Sequence, residues 1–169
     1  MPENGELTIV VFRLADQSFG LPVTAVGQII EMVLPVYLPQ LPPFVPGIID
    51  YHGQLVPLID VRLRFGLPFR PYDLYTPVIL TQVNDRFLGL IVDAVADVVT
   101  VLPQQIQAVA LVLPAELAQL ADLPIPELYL DSLARLADQS MLPVLAVDRL
   151  LTMQEKALLQ EAVMEGKAA

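Results

Sequence analysis

The segment VVFRLADQSFGLPVTAVGQII (residues 10–30) lies over ILTQVNDRFLGLIVDAVADVV (residues 79–99) without a gap. Identities fall at Asp16/Asp85, Gly20/Gly89, Leu21/Leu90, Val23/Val92, Ala25/Ala94 and Val26/Val95, and most other pairs match apolar with apolar or polar with polar. Any two hairpins share some pattern, but the run GLxVxAV at one offset favours duplication. A repeat of this kind constrains the fold more than any other feature, because each half must build the same small unit. Later in each half comes a proline-marked apolar strand ending in a turn with Asp, Arg and Leu: LVPLIDVRL (55–63) and LPVLAVDRL (142–150).

The repeated unit reads as β-structure. Period-2 alternation of β-branched and aromatic residues runs through LTIVVFRL (7–14), TPVILTQV (76–83), RFLGLIV (86–92) and DVVTVL (97–102). Asn84-Asp85 sits between two of these runs, and both residue types tolerate positive φ in a tight hairpin. Each half is then a hairpin, a bent segment and a second hairpin. At roughly 70–80 residues per half, small barrels or strongly curved sheets limit exposed edges best. The expected architecture is mainly β, with two related subdomains whose repeats start near residues 10 and 79.

Helices are minor. TMQEKALLQEAVMEGK (152–167) opens with a capping box, Thr152 and Glu155, in which each side chain satisfies the other's free backbone N–H. Leu158, Leu159, Ala162 and Val163 form an apolar stripe, and Gly166 is the expected stop. AELAQLA (115–121) reads as a further short helix inside an irregular, proline-rich insertion over 103–127.

Composition narrows the function classes. The chain has 169 residues, enough for one domain or two subdomains with a shared core. Nineteen acids against nine bases give a net charge of -10, which argues against nucleic acid and against anionic lipid as partners. Hydrophobic residues make up 55% and charged residues only 17%, so either a membrane protein or one with apolar contact faces is implied. The charge-free run 32–49 holds five prolines, and the run 98–115 is broken by Pro103, three glutamines and Pro114, so neither reads as a spanning helix. The polar, acidic start MPENGELT does not read as a signal peptide. No cysteine is present, which fits a reducing compartment and removes thiolate metal sites.

Catalytic signatures are missing. Ser18, Ser132 and Ser140 lie outside any G-x-S-x-G context, phosphate-cradling glycine loops do not occur, and one histidine with scattered acids does not make a metal site. Asp50 and His52 sit at i, i+2 and would share one strand face. They are either an acid–histidine dyad or a pair at the end of a strand. Neither a cofactor nor a metal is expected.

The residues FGLPVTAVGQII, LPPFVPGIIDYHGQLVPLIDVRLRFGL, LGLIVDAVADVV and LPVLAVDRLLT together resemble the CheW-like domain family of chemotaxis coupling proteins. The likeness covers residues 7–152 as a single CheW-like domain, leaving 153–169 as a C-terminal helix and tail. It implies two five-stranded SH3-like barrels sharing an apolar core and an adaptor without enzymatic activity. The implied partners are the regulatory domain of a chemosensory histidine kinase and the cytoplasmic tip of a chemoreceptor. The implied place is the cytoplasm, at membrane-bound receptor arrays reached through partners and without direct membrane insertion. Flagellar, pilus-based and phototactic systems remain equally open.

Partner-contact positions implied by the resemblance are Val26, Gln28, Gly47, His52 and Gly53, with Gly89 and Val95 in the second half. The Gly20 and Gly89 positions also fit a bulge or a close backbone approach, and Asp60 and Arg62 fit a structural turn. Gln28 stands where the family pattern has an acid, and His52 where it has an arginine. Two readings follow: independent losses of charge, or a contacting Gln–His pair beside the receptor groove. On the second, the two side chains face one surface within hydrogen-bond reach, directly or through a water. Receptor binding then weakens in mild acid, where histidine gains charge. Two rival functions stay open from the residues alone: an enzyme of unknown type using Asp50 and His52, or a regulatory fragment of a larger kinase fusion. Against the second, neither a receiver-like segment nor an ATP-binding motif follows.

Overall fold

In a computed structural model, residues 5–83, 85–108 and 129–168 are described. The strands are β1 (Leu7–Leu14), β2 (Gln17–Pro22), β3 (Val26–Glu31), β4 (Gly47–Tyr51), β5 (Gln54–Asp60), β6 (Pro77–Val83), β7 (Arg86–Ile91), β8 (Ala94–Val101), β9 (Ile106–Ala108), β10 (Leu130–Arg135) and β11 (Met141–Leu145). A one-turn helix α1 (Val61–Arg64) follows β5, and α2 (Met153–Ala168) comes last. The helix expected at 115–121, and most of the insertion around it, lie outside the described residues.

Two sheets form, in the orders β8-β1-β2-β11-β10-β9 and β3-β6-β7-β5-β4. Each curls onto itself. In the second, Val36 exchanges backbone hydrogen bonds with Ile48 on β4, N–H to O 2.8 and 3.0 Å. The chain running on from β3 thus closes the sheet against its far edge. In the first, β8 and β9 act as one bent strand around the turn at Pro103–Gln105, and β9 pairs with β10. Two five-stranded barrels result.

The repeat does not map onto the barrels half by half. β3 and β8 are repeat counterparts, yet β8 pairs with β1 and β3 pairs with β6. Each half therefore donates its third strand to the other half's hairpin, so one barrel takes β3 to β7 and the other takes β1, β2 and β8 to β11. Sequence periodicity fixes which face of a strand is apolar but not which hairpin the strand joins, since both offer the same alternating edge.

Alternation sorts the core into three clusters. Ile9, Val11, Leu142 and Val144 fill one barrel, and Ile49, Val56, Leu58, Val78, Leu80 and Ile91 fill the other. The opposite faces, including Phe12, Leu14, Phe19 and Leu21 from one sheet and Ile48, Ile59, Ile79 and Leu90 from the other, meet in a shared central core. Each fully buried side chain of this kind contributes ~1.5–3 kcal/mol. Gly20 and Gly89 occupy matching positions inside the two barrels. A Cβ would fall 2.5 Å from Ile9 Cγ2 at Gly20 and 2.4 Å from Leu58 Cδ2 at Gly89, so close packing and not positive φ demands glycine at both.

The paired prolines find the same explanation twice. Pro57 and Pro143 lie immediately before the residues at which β5 and β11 meet their parallel neighbours, Leu58 opposite Gly89 and Val144 opposite Gly20. At that point the missing N–H removes no parallel-ladder bond. The capping box forms as read: Thr152 N–H donates to Glu155 Oε1 at 2.8 Å and Glu155 N–H to Thr152 Oγ1 at 3.1 Å. Leu159 and Ala162 of α2 are buried in the central core. Gly166 does not end the helix, which runs to Ala168. A glycine inside a last turn costs only ~1 kcal/mol and does not oblige a stop.

Candidate functional site: the groove between the second barrel and the C-terminal helix

The β4–β5 hairpin carries the histidine. Tyr51 pairs with Gln54, leaving His52 (φ 51°) and Gly53 (φ 83°) as a two-residue loop with both φ angles positive, the requirement of a type I′ turn. Asp50 Oδ1 accepts the Gly53 N–H at 2.8 Å, which commits that carboxylate to the turn. His52 is exposed, and its ring meets Tyr51 edge-on at 4.4 Å between centroids. Asp50 and His52 therefore serve a turn and its tip.

Gln28 has a different partner from the one expected. Its Oε1 accepts a hydrogen bond from the Tyr51 hydroxyl. Tyr51 thus links Gln28 to His52, with a hydrogen bond on one side and a ring contact on the other. The bond also ties β3 to β4, the two ends of the second sheet. Sequence reading missed Tyr51 because the residue carries no charge and its reach across the barrel closure is a tertiary property.

Beside this hairpin lies a groove of about 640 Å³. Leu55, Phe87 and Leu88 from the second barrel form one wall; Leu151, Leu159 and Val163, in α2 and the turn before it, form the other. Asp85, Arg86, Asp148 and Lys156 mark its rim. Gln54 and Leu55, directly after the His52-Gly53 turn, line it, and a Cβ on Gly27 would lie 4.0 Å from Phe87 Cε1. Gln28, His52 and Gly53 themselves do not line it. Val26 is half-buried against the central core. Phe87 had a signal in the repeat, since its counterpart Ser18 is a small polar residue.

Three other positions do not line the groove. Gly47 is buried, and a Cβ there would lie 2.4 Å from the Val36 carbonyl oxygen, so it allows the closing strand to approach. Gly89 is buried inside its barrel, and Val95, on β8, packs against the central core. Asp60 is buried and caps α1 by accepting the Leu63 N–H at 3.2 Å and the Tyr72 hydroxyl. Burial first, and the Asp60 carboxylate second, push the Tyr72 phenol well above its usual range. Arg62 pairs with Asp93 at 2.6 Å and donates through Nε to the Pro68 carbonyl at 3.1 Å. Asp60 and Arg62 thus both bond to backbone of the segment that follows β5.

Arg64 holds α2 in place. Its guanidinium makes a bidentate pair with Glu155, at 2.9 and 3.1 Å, and lies 4.3 Å over the Phe44 ring and 5.2 Å from that of Tyr129. No metal-type cluster of three His, Cys, Asp or Glu residues occurs among the described residues. Nor is any described helix long and apolar enough to cross a membrane.

Two closed barrels, a shared core and a groove rimmed by a hairpin turn describe a binding scaffold. The CheW-like domain family matches residues 8–155. The chain belongs to that family. It is similar to the chemotaxis protein CheW of Rhizobium meliloti, 34% identical over 104 residues, covering 62% of this chain and 67% of that protein. Similarity to the chemotaxis protein CheW of Klebsiella aerogenes is 28% over 152 residues, covering 88% of this chain and 84% of that one. Among solved structures, the scaffolding protein TtCheW from Thermoanaerobacter tengcongensis matches with a TM-score of 0.74 at 27% identity, covering 88% of this chain and 94% of that chain. As a CheW-like protein it is a non-catalytic chemotaxis scaffold that couples a kinase to receptors. That assignment replaces the enzyme reading of Asp50 and His52.

Proposed function

We propose that this CheW-like protein works in the cytoplasm, holding the cytoplasmic tip of a chemoreceptor in the groove between the second barrel and α2 and the regulatory domain of a histidine kinase on a separate face. The groove carries the reading. Its walls are apolar and its lining includes the acids Asp85 and Asp148 and the bases Arg86 and Lys156. An apolar trough with a polar rim is the usual anatomy of a protein contact. A second apolar area supports a second partner: Leu34, Val36 and Tyr37 are 90%, 66% and 65% exposed, and none of them lines the groove. The Gln28–Tyr51 bond places a neutral amide where the family pattern has an acid, so receptor choice differs from that of relatives keeping the charged pair.

Co-sedimentation of kinase with receptor-bearing membranes tests the proposal. Adding the protein should raise sedimented kinase several-fold, and Phe87→Glu should remove that gain. Equal sedimentation with and without the protein refutes the coupling role. A Phe87→Glu variant that couples normally refutes the groove assignment.

A further inference from the structure

The described chain passes between the two sheets at two places, Val23–Ala25 after β2 and Val92–Asp93 after β7. The repeat makes Thr24 and Asp93 counterparts, but the two crossovers are built differently. Thr24 is exposed, whereas the Asp93 side chain is only 9% exposed. Asp93 Oδ2 accepts the Ala15 N–H at 2.7 Å and the Arg62 guanidinium at 2.6 Å, with Arg70 at 3.6 Å. The Asp93 N–H donates to the Arg13 carbonyl at 3.0 Å. Arg13 and Ala15 belong to the β1–β2 hairpin of one barrel; Arg62 and Arg70 follow β5 of the other.

We propose that Asp93 is a positioning residue that, with Arg62, fixes the angle between the two barrels. The shared core cannot do this alone. Apolar contact is non-directional, and one barrel can slide over the other while keeping most of its buried area. Charge-assisted hydrogen bonds are short and directional, and Asp93 holds such bonds to both barrels at the point where the chain crosses. A slide would stretch the Ala15 or the Arg62 contact and leave a charge buried without its partner. The test needs no partner.

The absence of cysteine allows clean spin labelling. Ser18→Cys with Gln82→Cys spans the barrels, on β2 and β6; Ser18→Cys with Asp131→Cys stays within the first sheet, on β2 and β10. Pulsed dipolar spectroscopy should show a narrow inter-barrel distance in the parent chain. Asp93→Asn and Arg62→Gln should each widen that distribution at least twofold and leave the intra-sheet pair unchanged. Asp16→Asn, an exposed acid on the same hairpin, should change neither. The proposal is overturned if the inter-barrel width stays constant in both variants, or if both label pairs broaden together. If Asp93→Asn does not fold, Arg62→Gln decides; failure of both to fold assigns the network to core stability and also overturns it.

Discussion

Gly89→Ala tests the claim that two equivalent glycines exist because the barrels are full. The new methyl would stand 2.4 Å from Leu58 Cδ2 and 3.1 Å from Val78 Cγ1. Ordinary carbon contacts are ~3.5–4.0 Å, so Leu58 must retreat by more than an ångström. It has nowhere to go, being fully buried among Ile49, Val56, Val78, Leu80 and Ile91. Overpacking of this kind costs ~1–3 kcal/mol, while the lower entropy of an unfolded alanine returns ~0.4–1 kcal/mol. A net loss of ~1–2 kcal/mol is expected, read as a lower urea midpoint with an unchanged m-value. Gly20→Ala should cost at least as much, because its methyl meets Ile9 Cγ2, which is held by a stiff β-branched χ1. Leu58→Val removes the obstructing carbon and alone costs ~1 kcal/mol. Combined with Gly89→Ala it should cost less than the sum of the singles by ~1 kcal/mol or more. Strict additivity, or a Gly89→Ala loss below ~0.5 kcal/mol, would refute the packing argument.

Arg64→Gln should destabilise by ~2–4 kcal/mol, since it leaves Glu155 and the Phe44 face without their cation; amide exchange should show α2 opening before either barrel. His52→Asn should leave the urea midpoint within ~0.5 kcal/mol because asparagine accepts positive φ, whereas His52→Val should cost ~1–2 kcal/mol. Any receptor-affinity change in His52→Asn then reports the imidazole and not the turn. Tyr72, raised in the folded state, contributes stability that is complete below the unfolded tyrosine value of about 10 and is lost as pH rises beyond it. Tyr72→Phe should flatten that alkaline decline, and an unchanged decline would show that the phenol is not its source.

Much of this protein was legible in the chain. The 10–30/79–99 repeat announced two like units, alternation marked 7–14, 76–83 and 86–92 as strands, and Thr152 with Glu155 marked the start of α2. These are local properties: a strand's apolar face, a turn's φ requirement and a cap's hydrogen bonds involve residues only a few positions apart. The motifs also carried the family. The strand exchange, the Tyr51–Gln28 bond, the Arg64–Glu155 clasp and the Asp93 joint were decided by the tertiary structure alone. Each joins residues far apart in the chain through geometry that many sequences satisfy equally well. β3 and β8 present the same alternating pattern, so pairing energy barely distinguishes the hairpins they can join. The choice is made when both barrels close over one core, where only the exchanged arrangement is observed to bury Phe12 and Leu14 against Ile59, Ile79 and Leu90.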